Sequence, residues 1–204
     1  MGIVERTEAG LYKLGIYLFE LGLRVDVNQS IVEKAQPHLR ALSNEIQEST
    51  CLAIRDRVDV LCLVNEESSQ NIRIDTLVGT RNPMYCTALG KSILAFMDGD
   101  FMDLYYEITS LKKRTDNTII TESESRKDLQ KVKKYFISYD KEEFADDVYC
   151  VGTTIFDINE QPVAAISISG LKRRMMGRKI EISKAILNTG MKITTEIGGH
   201  YPQK

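Results

Sequence analysis

Cys150-Val151-Gly152-Thr153-Thr154-Ile155-Phe156-Asp157, followed after a short polar turn by Ala164-Ala165-Ile166-Ser167-Ile168-Ser169-Gly170, is the stretch whose reading decides the fold. Both runs are rich in β-branched and apolar residues, and Asn159-Glu160-Gln161 between them supplies a turn. The pattern predicts two long antiparallel strands over Val148–Ile158 and Pro162–Leu171. In the second, Ser167 and Ser169 alternate with Ile166 and Ile168, so both hydroxyls share one strand face.

Working outward from this hairpin, the upstream half offers a second one. Thr50–Arg55 and Val60–Asn65 flank the turn Asp56-Arg57-Val58-Asp59, and the alternating Ile72–Val78 predicts a third strand beside them. Helical periodicity surrounds these strands. Ser30 with Glu33 has capping-box spacing and opens a helix to about Gln47, with Pro37 predicting a kink or a late start. Thr87–Met97 and the residues around Phe101–Ile108 read as short helices. Thr121 with Glu124 opens an amphipathic helix to about Phe136, and Ile180–Ile197 forms a last helix ended by Gly198-Gly199. Hairpins grouped with flanking helices predict an α+β fold around an antiparallel sheet.

Near the start, Thr7 to Arg24 reads as a turn feeding a helix. Leu11, Tyr12, Leu14, Ile16, Tyr17, Leu18, Phe19, Leu21 and Leu23 would cover nearly its whole circumference. A helix apolar all round must be buried on several sides, so it predicts a partner from another domain or a second subunit.

Composition narrows the function. The chain has 204 residues, 43% hydrophobic and 27% charged, close to the average for a globular domain. No apolar run approaches the ~18 residues of a membrane span, and no secretory leader is visible, so a cytoplasmic protein is expected. The formal charge is −2, whereas a self-sufficient nucleic-acid reader carries a basic excess. Basic clusters at Lys112-Lys113-Arg114, Lys131 with Lys133-Lys134, and Lys172-Arg173-Arg174 with Arg178-Lys179 are read as solvated faces. The four cysteines, Cys51, Cys62, Cys86 and Cys150, form no Cys-x-x-Cys pair, which predicts free thiols in a reducing compartment. His38 and His200 lie far apart, in no spacing used by metal sites or nucleophilic catalysis.

Enzyme motifs fare poorly. Gly90-Lys91-Ser92 ends like a phosphate-binding loop, but the glycine needed five residues before Gly90 is Tyr85. Glu142-Glu143 and Asp146-Asp147 are paired carboxylates with no visible partner, and read as a solvated acidic loop. Cys150 lies within a strand with no histidine near it, as a small hydrophobe does. No catalytic residue, metal ligand or cofactor is expected.

Four segments in register resemble the IclR family of bacterial transcription regulators over essentially the whole chain. Thr87-Ala88-Leu89-Gly90-Lys91-Ser92-Ile93-Leu94-Ala95 is similar to the small-residue helix start of its effector domains. Asp140-Lys141-Glu142-Glu143 resembles its acidic loop, and the strands at 150–157 and 164–170 resemble its final hairpin. Gly10-Leu11-Tyr12-Lys13-Leu14-Gly15 is similar to the junction of DNA-binding wing and linker helix. The resemblance implies a GAF-like antiparallel sheet flanked by helices, preceded by a linker helix. Residues 1–27 would be the end of the wing and the linker helix, and 28–204 the effector-binding domain. The helix-turn-helix is then missing from this sequence, and promoter DNA binding is expected only through it in the full-length protein.

The resemblance also implies a homodimer or tetramer and a small organic acid as effector. Carried over residue by residue, Ala88 and Leu89 would offer backbone amides to a carboxylate, Ser167 and Ser169 their hydroxyls, and Cys150 and Asp140 would line the remainder. An ionised Asp140 repels a carboxylate, so it is assigned to a hydroxyl or hydrated carbonyl at the ligand's other end. Two positions depart from the family's commonest pattern: Lys141 stands where a second acidic residue is frequent, and Tyr85 where a small residue or an imidazole is. The alternative is a free-standing GAF-like sensor or interaction module unrelated to transcription.

Overall fold

The two runs expected as long strands lie side by side within a six-stranded antiparallel sheet. The computed structural model describes residues 2–7, 9–23 and 29–203. A small hairpin of β1 (Val4–Arg6) and β2 (Tyr12–Leu14) leads to helix α1 (Ile16–Leu23). Helix α2 (Gln29–Ile46) precedes β3 (Ser49–Asp56), β4 (Asp59–Glu66) and β5 (Arg81–Pro83). Helices α3 (Ala88–Leu94), α4 (Gly99–Ile108) and α5 (Glu122–Tyr135) follow, then β6 (Ser138–Lys141), β7 (Val148–Phe156) and β8 (Pro162–Leu171). Two helices complete the series, α6 (Lys172–Gly177) and α7 (Lys179–Glu196). The large sheet has the order β5-β4-β3-β8-β7-β6, so the hairpin β3–β4 is joined to the hairpin β7–β8 through β3 and β8.

Period-two alternation sorts the side chains onto two faces. Leu52, Ile166 and Ile168 point to one face, where Leu39, Leu42 and Ile46 of α2 and Ile182, Ile186 and Ile193 of α7 complete a core. Cys51, Ala53 and Ala165 point to the other, where Leu89, Ile93 and Leu94 of α3, Tyr105 of α4 and Leu129 of α5 pack. The second face carries smaller sheet residues, so α3 approaches closely. A Cβ on Gly152 of β7 would lie 3.0 Å from the Ala88 carbonyl oxygen of α3.

Two expectations need correction, and a third is narrowed. Residues 12–14 pair as a strand and do not begin the helix: Gly10, at φ 80°, reverses the chain, and Thr7 and Leu11 close the turn with a backbone hydrogen bond of 2.7 Å. Residues 72–78 are irregular backbone, not a third strand. The edge of β4 is satisfied instead by a turn, with the Cys62 amide donating to the Thr80 carbonyl and the Gly79 amide to that of Cys62, and by pairing with β5. Of the kink or late start read from Pro37, the late start is absent, since α2 runs through Pro37 from its first described residue, Gln29. The short strands β1, β5 and β6 and helix α6 were not anticipated. The expected end of the first helix at Arg24, the boundary between residues 27 and 28 and the Ser30 side chain lie outside the described residues.

The other capping box is present as read. The Thr121 hydroxyl oxygen accepts from the Glu124 amide and donates to the Glu124 carboxylate at 2.7 Å, while Phe136 ends α5 in the left-handed region.

Candidate functional site

Helix α3 is held against the sheet by small and polar residues. Thr87 caps it, its hydroxyl oxygen accepting from the Gly90 amide at 3.2 Å and its carbonyl from the Lys91 amide at 2.9 Å. The amides of Ala88 and Leu89 come too early for an intrahelical partner and make no hydrogen bond among the described residues. Gly90 is required by contact: a Cβ there would lie 2.2 Å from the Met84 Cα. Ser92 shares a 2.7 Å hydrogen bond with Ser138 of β6, whose hydroxyl also donates to the Ala88 carbonyl. Gly90-Lys91-Ser92 is therefore a packing element.

Lys91 is 1% exposed, yet its ammonium meets Glu143 at 2.6 Å and Asp128 of α5 at 3.0 Å. Burial pulls its pKa down, but the two carboxylates outweigh burial and raise it above the ordinary value. Burial wins on Glu143, whose carboxyl stands above the usual range despite Lys91. One Glu143 oxygen, Oε2, is buried with no hydrogen-bond partner among the described residues. The loop read as a solvated acidic segment is thus partly internal, because Asp140 and Glu143 are both buried while Asp146 and Asp147 are exposed. Glu142 is satisfied by Lys172. Nor is every basic residue solvated. Arg174 clamps the buried Glu48, whereas Arg114 is exposed, stacking on Phe144 at 4.1 Å while its Nε donates to the Phe144 carbonyl.

A cavity of about 390 Å³ opens where the start of α3, the small-residue face of the sheet and two loops meet. Ala88, Leu89, Asp140, Cys150, Ser167 and Ser169 all line it. Sheet register explains the gathering: Asp140 lies opposite Cys150, and Cys150 opposite Ser169, so three side chains form a row across β6, β7 and β8. Ser167 stands two residues along on the same face. Asp140 Oδ1 accepts from the amides of Glu143, at 2.7 Å, and Phe144, at 3.3 Å, which folds the loop over the cavity.

Electrostatics alter one expectation. Burial pushes the Asp140 pKa up to about 7, against the two backbone amides and Lys91, with Glu143 adding to the rise. Asp140 is not simply a carboxylate at neutral pH, since protonated and ionised forms coexist. The Cys150 thiol is raised chiefly by burial and further by Asp140, so it stays protonated.

Sequence reading missed the opposite wall. Asp75, Thr76, Leu77 and Thr80, from the segment between β4 and β5, and Asn82 of β5 line the cavity. Reading residues 72–78 as a strand hid this role. The Gly79 turn, just after the alternating run, was the available signal. Phe144, Ala145 and Val148 were also missed, although they follow Asp140 closely.

Residues 24–195 match the family model described as bacterial transcriptional regulator IclR C-terminal. The chain belongs to the IclR family. It is 30% identical over 202 residues to the HTH-type transcriptional regulator KdgR of Escherichia coli (strain K12), covering 98% of this chain and 77% of that protein. The crystal structure of the Thermotoga maritima IclR superposes with a TM-score of 0.85 at 33% identity, covering 97% of this chain and 80% of that one. An IclR homolog from Microbacterium hydrocarbonoxydans, complexed with 4-hydroxybenzoate, shares the fold, with a TM-score of 0.87, 19% identity and coverage of 97% and 80%. The α+β architecture is that of IclR C-terminal domains. This IclR-family chain is the effector-binding domain of a transcription regulator and not an enzyme. The reading of a sensor unrelated to transcription gives way to that finding. Among the described residues, no helix is long and apolar enough to cross a membrane.

Proposed function

We propose that this domain senses a small organic acid bearing a hydroxyl or carbonyl, of the hydroxy-, keto- or sugar-acid class, in the cavity between α3 and the sheet. Occupancy then modulates promoter binding by the regulator of which residues 28–204 form the effector-binding domain and 1–27 the wing end and linker. The observation that carries the reading is the polarity of the cavity. Two unpartnered amides at Ala88 and Leu89 suit a carboxylate, and the row of Asp140, Cys150 and Ser169, with Ser167 beside it, suits a hydroxylated end. A volume of about 390 Å³ lies at the small end of ligand sites. The hydroxy acid 4-hydroxybenzoate, held by a protein of the same fold, belongs to the same chemical class.

A thermal-shift screen of small hydroxy-, keto- and sugar-acids tests this. A ligand at about a hundred times its Kd stabilises the folded state by about 2.7 kcal/mol. Ser169→Ala weakens the best hit by about 1 kcal/mol, since the lost contact is neutral on the protein side. Neutral compounds raising the melting temperature where every acid fails would overturn the reading.

The same regulator is proposed to assemble as a homodimer or tetramer through its first segment. Leu11, Tyr12, Leu14 and Ile16 are 69%, 75%, 77% and 65% exposed, and such a contiguous set does not favour water. Light scattering at micromolar concentration should give at least twice the chain mass, and a monodisperse monomer would refute it.

A further inference from the structure

We propose that Cys51 and Cys62 are an oxidisable dithiol, closing to an intrachain disulfide when a small hydroperoxide reaches the wall of the cavity. The two residues lie on the neighbouring strands β3 and β4. An irregularity between Leu52 and Ala53 shifts the register there, so Cys51 faces Asn65 while Ala53 faces Cys62. The resulting diagonal places the two Sγ atoms 3.1 Å apart. A disulfide bond is about 2.05 Å long, so closure needs only about 1 Å of further approach.

The pair is well placed for selective chemistry. Both side chains are nearly enclosed, 3% and 2% exposed. What covers Cys62 is one layer of irregular backbone: its sulfur lies 3.9 Å from the Thr76 carbonyl, within the segment that carries the exposed Ile72, Leu77 and Val78. The two thiols also differ. The hydrogen bond from Cys51 holds the Cys62 thiol below its ordinary value against the opposing pull of burial, and the same bond with burial drives Cys51 well above. Cys62, whose sulfur lies directly beneath that wall segment, is the attacking sulfur, and Cys51 behind it the resolving one. Among the described residues no hydrogen bond joins a second cysteine to Cys86, pushed up to about 12 chiefly by burial, or to Cys150, also raised.

The steps balance. The Cys62 sulfur attacks the peroxide oxygen and breaks the O–O bond, giving a sulfenic acid and releasing water from hydrogen peroxide or an alcohol from an organic hydroperoxide. The Cys51 sulfur then attacks the Cys62 sulfur, and the hydroxyl leaves with the Cys51 proton as water. Two thiols lose two protons and two electrons, and one hydroperoxide takes them up to give an alcohol or water and a second water. Thiol reductants reverse the bond. Because Thr76 and Ser167, the strand partner of Cys51, both line the cavity, the disulfide braces the cavity wall. This device does not depend on which acid binds.

Trypsin separates the four cysteines into the peptides 41–55, 58–73, 82–91 and 142–172, which makes the test direct. The folded chain is treated with hydrogen peroxide, alkylated and mapped without reduction. The expected result is a cross-linked 41–55/58–73 pair, a fall in free thiols from four to two, and full recovery with dithiothreitol. In Cys51→Ala, Cys62 should be trapped by dimedone as a sulfenic acid, whereas in Cys62→Ala, Cys51 should remain a free thiol. Peroxide that leaves all four thiols intact, carries Cys62 of the unsubstituted chain to a sulfinic acid, or modifies Cys86 or Cys150 as readily would overturn the proposal. The map of the unsubstituted chain decides the matter even where an alanine variant fails to fold.

Discussion

Replacing Lys91 with alanine lowers the unfolding free energy by about 3–5 kcal/mol, the cost of removing one partner from a buried ion pair. The ammonium lies 2.6 Å from Glu143 and 3.0 Å from Asp128, inside α3, where water does not reach it. Without it, Glu143 keeps a buried carboxyl whose Oε2 already lacks a partner. The Glu143 pKa, already raised by burial, must rise further, so the folded variant binds a proton that the unfolded chain releases above about pH 4.3. A state that binds more protons when folded loses stability as pH rises. The deficit is therefore largest near neutral pH and shrinks toward about pH 5. Urea unfolding at both pH values measures it. Lys91→Met with Glu143→Gln should recover part of the loss, because the buried charge is then gone. A single-variant deficit below about 1 kcal/mol, the range of an exposed pair, would mean that the ammonium is solvated.

Changing Asp140 to asparagine weakens a bound hydroxy acid by about ten- to hundredfold at about pH 8, equivalent to about 1.5–3 kcal/mol for a hydrogen bond to a charged group. At that pH the wild-type side chain, with a pKa near 7, is mostly ionised and accepts from a ligand hydroxyl. Asparagine still offers an oxygen to the Glu143 and Phe144 amides, so the loop keeps its anchor. Near pH 6 the wild-type carboxyl is mostly protonated, and the gap between the two proteins narrows. The stability effect has its own sign. Because the folded-state pKa lies above the unfolded ~3.9, this group stabilises the fold least at high pH, its contribution falling between about pH 4 and about pH 7. The variant lacks that decline. Titration calorimetry at the two pH values, with denaturant melts alongside, reads both effects. Equal affinities at about pH 8 with an intact fold would remove Asp140 from the ligand contacts.

Much of the architecture is legible in local pattern. The hairpin β7–β8 needs only two β-branched runs and a polar turn, and Ser167 and Ser169 share a face because a strand repeats every two residues. Capping at Thr121 is equally local. The same logic misleads at residues 72–78, where alternation is present but the segment passes β4 without forming a strand. The edge of β4 is already satisfied by the Gly79 turn and by β5, so the segment becomes a cavity wall.

The candidate site divides along the same line. Ala88, Leu89, Asp140 and Cys150 were placed by resemblance to the IclR family, since nothing local to each residue marks it. Sequence by itself determined the two long hairpins, the main helices, the shared face of Ser167 and Ser169, and the resemblance to the family. Tertiary structure alone decided that Asp140, Cys150 and Ser169 stand in one row, that Lys91 finds Glu143 52 residues away, and that Cys51 meets Cys62. Strand register and burial settle those contacts, and both depend on partners distant in the chain. Ionisation follows the same rule: a carboxyl on this loop titrates normally in water, and only enclosure by the fold carries Asp140 to about 7.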